Sequence, residues 1–74
     1  MSDIAATATI RVNGQDEPLV ETTLAALVNA RGISEGARGL AVAHNGAVVP
    51  RGQWPTTHLE PGDQVEIVLA RQGG

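Results

Sequence analysis

Seventy-four residues with a net charge of −3 make a single small domain, which buries only about 60% of the surface its unfolded chain exposes and has a narrow stability margin. The five cations are all arginines scattered along the chain and the sole aromatic is Trp54; this excludes a nucleic-acid groove, which needs clustered cations and stacking rings. No cysteine is present, so disulfides and thiolate metal sites are excluded, and no uncharged run is long enough to span a membrane.

Residues 1–6 read as a flexible leader, with neither the basic start nor the apolar stretch of a secretory signal, and the chain reads as cytoplasmic. Residues 7–12 alternate, with Ala8, Ile10 and Val12 on one face, and predict a half-buried strand. Asn13-Gly14 is a strong short hairpin signal. A second strand is expected over about 17–20, with Pro18 near its start or on an edge.

A helix is expected over 24–31. Thr22 or Thr23 can cap its first turn, and Leu24, Leu27 and Val28 share one face. Arg31 suits the negative end of the helix dipole, Gly32 supplies a left-handed stop, and Ile33 can fold back on the last turn. Residues 34–39 form a polar loop. A third strand over 40–44, a second Asn-Gly turn at Asn45-Gly46 and a short strand over 47–49 follow, closed by Pro50. Residues 51–59 are irregular, with one tight helical turn near Gln53 and Trp54. A turn at Pro61-Gly62-Asp63 leads into a last strand over 64–69, with Val65, Ile67 and Leu69 on one face.

One helix and one small sheet must bury their apolar faces against each other. The last strand, rich in valine and isoleucine, reads as central and parallel to the first, with the helix in the crossover. The expected class is α+β, a β-grasp (ubiquitin-like) fold. It has a mixed four- to five-stranded sheet with one main helix packed across it. Residues 1–69 form this domain and residues 70–74 a flexible tail.

The tail ends in Gly73-Gly74. Two residues without a β-carbon can carry an α-carboxylate through a channel too narrow for other side chains. At about 3.3 Å per residue, five extended residues reach roughly 16 Å, so Gly74 is the candidate reactive terminus. Gly73, Gln72 and Arg71 form the stretch that enters a partner's active site. His44 and His58 show no triad or metal-ligand spacing and read as ordinary surface residues. Glu60, Asp63 and Glu66 read as a solvated face around a turn, with an acidic docking patch as the sharper alternative. Arg51 and Trp54 are candidate docking residues, although without Phe or Tyr in the chain Trp54 is also needed to close the core.

The chain resembles the ThiS family of sulfur carriers in four segments: Val12-Asn13-Gly14, then Thr22-Thr23-Leu24-Ala25-Ala26-Leu27, then the run from Ala41 through Asn45, Gly46, Val49, Pro50 and Arg51 to Trp54, and finally Gly62-Asp63-Gln64-Val65-Glu66-Ile67-Val68 leading to Gly73-Gly74. Members often carry a small residue where Gln72 stands here. The resemblance implies that an E1-like (ThiF-like) partner adenylates the Gly74 carboxylate, using ATP and magnesium that this chain does not itself bind. Sulfur from a donor protein would then convert it to a thiocarboxylate, and thiazole synthase (ThiG-like) would receive that sulfur in thiamine biosynthesis. The chain itself would not be an enzyme. The alternatives are a MoaD-like or cysteine-synthase-linked carrier, a ubiquitin-like modifier conjugated through Gly74, and an interaction module whose glycines are incidental. The absence of lysine means a modifier of this sequence could not build chains on its own lysines.

Overall fold

The first hairpin turns on two residues with positive φ. The computed structural model of the chain describes residues 8–33 and 38–69; the leader at 1–6 and the tail at 70–74 lie outside them. Strands β1 (Thr9–Val12) and β2 (Gln15–Pro18) are joined by Asn13 and Gly14 at φ 52° and 85°, the geometry of a type I′ turn. A two-residue turn leaves no slack, so Val12 must face Gln15 and Thr9 must face Pro18. The second strand therefore lies two residues earlier than the expected 17–20. That expectation followed the apolar Leu19 and Val20, but Val20 is 74% exposed and the edge strand is Gln-Asp-Glu-Pro. Glu17 opposes Ile10 across the ladder and accepts a hydrogen bond from the Arg31 guanidinium. That ion pair lets a charged residue occupy the inward side of an edge strand.

Helix α1 (Leu24–Ala30) buries Leu24, Ala25, Leu27 and Val28. Of the two candidate caps it is Thr23, in extended conformation, whose hydroxyl accepts from the Ala26 amide at 3.1 Å. At the other end Gly32 takes φ 79°. The Gly32 amide donates to the Asn29 carbonyl and the Ile33 amide to that of Val28, the paired bonds of a Schellman stop. Ile33 is thereby returned to pack against the core.

Strands β3 (Leu40–His44), β4 (Ala47–Val48) and β5 (Gln64–Leu69) complete a five-stranded sheet in the order β2-β1-β5-β3-β4. Strand β5 runs parallel to β1 and antiparallel to β3. It is the central strand and the sheet is mixed, as its composition predicted. Its inward face is buried at Val65 and half-buried at Ile67, whereas Leu69, expected on the same face, is half-exposed where β5 outruns β1.

The stretch after β4 is more ordered than the single turn expected. A 3-10 helix spans Arg51–Thr56 and delivers Trp54 to the core at 1% exposure, its indole N–H donating to the Val49 carbonyl at 2.9 Å. The following residues return to the helix start: the Leu24 amide donates to the Thr57 carbonyl and the Leu59 amide to that of Thr22. Leu59, which lies in no regular element, is buried as a result.

Candidate functional site

The root of the tail is β5, and three devices hold that strand. On one side it pairs with β3 along its whole length, ending at Leu40 opposite Leu69. On the other, β1 reaches only part of the way: the Arg11 amide donates to the Asp63 carbonyl and the Asn13 amide to that of Val65, both at 2.9 Å. Beyond that point no β1 backbone remains. The Asn13 side chain takes its place, its Oδ1 accepting from the Ile67 amide at 2.8 Å and its Nδ2 donating to the Ile67 carbonyl at 3.3 Å. A primary amide offers one acceptor and two donors, so it serves as a further rung of the ladder.

The second Asn-Gly turn grips the other end of β5. Asn45, at φ 51°, accepts from the Gln64 amide through its own Oδ1 at 2.8 Å and donates to Asp63 Oδ1 at 3.2 Å. Sequence reading assigned both asparagines to turns alone. The discriminating signal was the residue type: Asp or Gly also suits such a turn, but only Asn brings donor and acceptor together.

Asp63, read from the sequence as part of a solvated face, is instead tied into the fold. Its Oδ2 lies 2.7 Å from His44 Nε2 and accepts from the Glu60 amide at 2.9 Å, and both side chains are largely shielded. Partial burial works against ionisation, but the hydrogen bonds from His44, the Glu60 amide and Asn45 outweigh it and hold the carboxyl below its ordinary value of 3.8. A carboxyl with a depressed folded-state pKa stabilises the fold above its unfolded pKa, and that contribution is lost as pH falls through the folded value. Acidification from neutral pH to below 3.8 should therefore lower the melting temperature of the wild type more than that of Asp63→Asn. Parallel melting curves with equal acid dependence in the two proteins would contradict this role.

The two candidate docking residues part company. The Trp54 ring is enclosed in the core and offers no surface to a partner. Arg51 is exposed, its guanidinium carbon 5.3 Å from the Trp54 ring centroid and its Nη2 donating to the Leu40 carbonyl at 3.3 Å. It thus bridges the 3-10 helix to the strand that faces the end of β5. On the outward side of the sheet, directly opposed residues share a face. Ala43 opposes Val48 and Ala41 opposes Val68. Val48 is 74% and Val68 55% exposed, so two valines flank small alanines beside the end of β5. Among the described residues no cluster of His, Cys, Asp or Glu could hold a metal ion, and no helix is long and apolar enough to cross a membrane.

Residues 10–74 match the model of the ThiS family. The chain belongs to the ThiS family. The match covers β1 through β5 and extends through Arg71, Gln72, Gly73 and Gly74, the four candidate tail residues that lie outside the described structure. Two solved structures share the ThiS-family fold seen here. A crystal structure of the thiamine biosynthesis protein ThiS from Geobacter metallireducens aligns with a TM-score of 0.71 at 27% identity, covering 89% of this chain and 99% of the other. A solution NMR structure of a thiamine biosynthesis protein from the same organism gives 0.71 at 26%, covering 89% and 87%. A search of curated proteins finds no match. The β-grasp reading is thus supported by topology and by relatives together.

Proposed function

We propose that this chain is the sulfur carrier of thiazole formation in thiamine biosynthesis and that its reactive group is the Gly74 carboxylate. The observation that carries the proposal is the family match itself, which spans residues 10–74, from β1 to the terminal glycines. The chain contributes a nucleophile and its delivery, and the catalytic groups belong to its partners.

An α-carboxylate has a pKa near 3.5 and is ionised at neutral pH. As an acyl donor it is inert, because the leaving group would be oxide. In the proposed sequence a carboxylate oxygen of Gly74 attacks the α-phosphorus of ATP on an E1-like partner, and pyrophosphate departs. Phosphoryl and nucleotidyl transfers of this kind depend on positioning and charge neutralisation, which the partner and its magnesium supply. The terminal sulfur of a donor persulfide then bonds to the acyl carbon and AMP leaves, giving an acyl disulfide; a thiol attacks the donor-side sulfur of that S–S bond, releasing the thiocarboxylate and leaving the donor as a disulfide with that thiol. The carrier has no cysteine to compete for the activated acyl group. A thiazole synthase would receive the same tail. The outward face carrying Ala41, Ala43, Val48 and Val68, with Glu66 opposite Ala43, would be the docking surface next to the root of that tail. Ordering the tail costs entropy, so the globular surface must supply most of the affinity.

Adenylation is reversible, and this gives a direct assay. Labelled pyrophosphate should exchange into ATP only when both the adenylating partner and this chain are present, and added hydrosulfide should convert the chain to the thiocarboxylate. Exchange that proceeds equally well without the chain, or with a chain lacking Gly73 and Gly74, would remove the basis of the proposal.

A further inference from the structure

We infer that Asn13 is a positioning residue for sulfur transfer, because its side-chain amide holds the exit end of β5 in line. The inference rests on the reading of Gly74 as the reactive terminus. The backbone amides of Arg11 and Asn13 donate to the carbonyls of Asp63 and Val65, and the Asn13 side-chain amide pairs with the backbone of Ile67. Three rungs at two-residue spacing continue one parallel ladder past the last residue of β1.

Without the third rung, residues 67–69 keep their ladder with β3, but the side facing β1 is left with only the core packing of the Ile67 side chain. The direction of β5 at Leu69 is the direction from which the remaining residues start toward Gly74. A root that wanders enlarges the volume the terminus samples and lowers the share of arrivals aligned for reaction, where a misplacement of about 1 Å can cost roughly a hundredfold. The Asn13–Ile67 contact spans 54 positions of sequence, so it couples the first hairpin turn to the last strand. Turn chemistry alone does not require it: glycine accepts φ 52° at least as readily as asparagine.

That difference separates turn from clamp. Asn13→Gly keeps the turn and removes the amide. Asn13→Asp keeps the acceptor for the Ile67 amide and removes the donor to its carbonyl. Asn45→Gly, at the entry end of β5, is the structural control. Each is compared with wild type below its melting transition, by hydrogen exchange at the Ile67 amide and by steady-state thiocarboxylate formation with the adenylating partner, ATP and hydrosulfide. For Asn13→Gly the Ile67 amide should exchange about tenfold faster or more, and kcat should fall about tenfold or more with KM little changed, since the outward sheet face is untouched. Asn13→Asp should fall between the two, and Asn45→Gly should lower the melting temperature without lowering kcat. Unchanged Ile67 exchange in Asn13→Gly, faster exchange with wild-type kcat, or an equal loss of kcat in Asn45→Gly would each overturn the inference. A wild-type chain that gains no sulfur contradicts the Gly74 reading instead, and the transfer role falls with it.

Discussion

Trp54→Ala is expected to leave the chain largely unfolded at room temperature. Trp54 is the largest fully buried side chain and the only aromatic available to fill the space between α1, the 3-10 helix and the sheet. Truncating a buried Trp to Ala costs about 3–5 kcal/mol, while a single core in a chain of this size supplies about 3–5 kcal/mol in all. The two are equal in scale, so little or no stability remains. Trp54→Phe retains most of the volume but leaves the Val49 carbonyl without its indole partner, and should cost about 1–3 kcal/mol. Circular dichroism melts distinguish the two: no cooperative transition for alanine, a lowered but cooperative one for phenylalanine. A well-folded Trp54→Ala protein would show that the core closes without the indole.

The second large effect is expected at Gly74. Gly74→Ala should lower thiocarboxylate yield about a hundredfold with the melting temperature unchanged. On the proposed function, the added β-carbon would enter the partner's channel where the tail is most confined. Gly73→Ala should act in the same direction. Full activity of either variant with the adenylating partner would mean that the channel is wide at that point. The two variants are expected to differ in kind: Trp54→Ala loses the fold, whereas Gly74→Ala loses the proposed sulfur loading.

Elements built on local signals could be read from the sequence. Strand β3, the helix with its threonine cap and Schellman glycine, both Asn-Gly turns and the valine-rich β5 follow from periodicity and turn chemistry acting over a few residues. The central, parallel placement of β5 followed from its composition and the handedness of crossovers. What escaped were effects that only the assembled fold creates. Strand β2 has no apolar alternation to reveal it, because Glu17 is accommodated on the inner side by Arg31 from the helix end. The full length of the 3-10 helix depends on Trp54 finding the core. The two asparagine clamps and the His44–Asp63 pair join residues 19 to 54 positions apart, beyond the reach of any local pattern. The candidate site divides in the same way. The diglycine could be proposed as a functional group from the sequence alone, because slenderness is a property of the residues themselves. The role of Asn13 could not, because it exists only when β1 and β5 lie side by side.

The central claim is that sulfur is carried as an acyl group at Gly74, activated by another protein. The most direct measurement is the intact mass of the chain after incubation with the adenylating partner, ATP and a sulfur source, followed by fragmentation to locate the change. The account predicts a gain equal to exchange of one oxygen for sulfur, confined to the Gly74 carboxyl and absent when ATP is withheld or when Gly74 is made as the amide. A mass gain on any other residue, or one that persists in the amide, would contradict it.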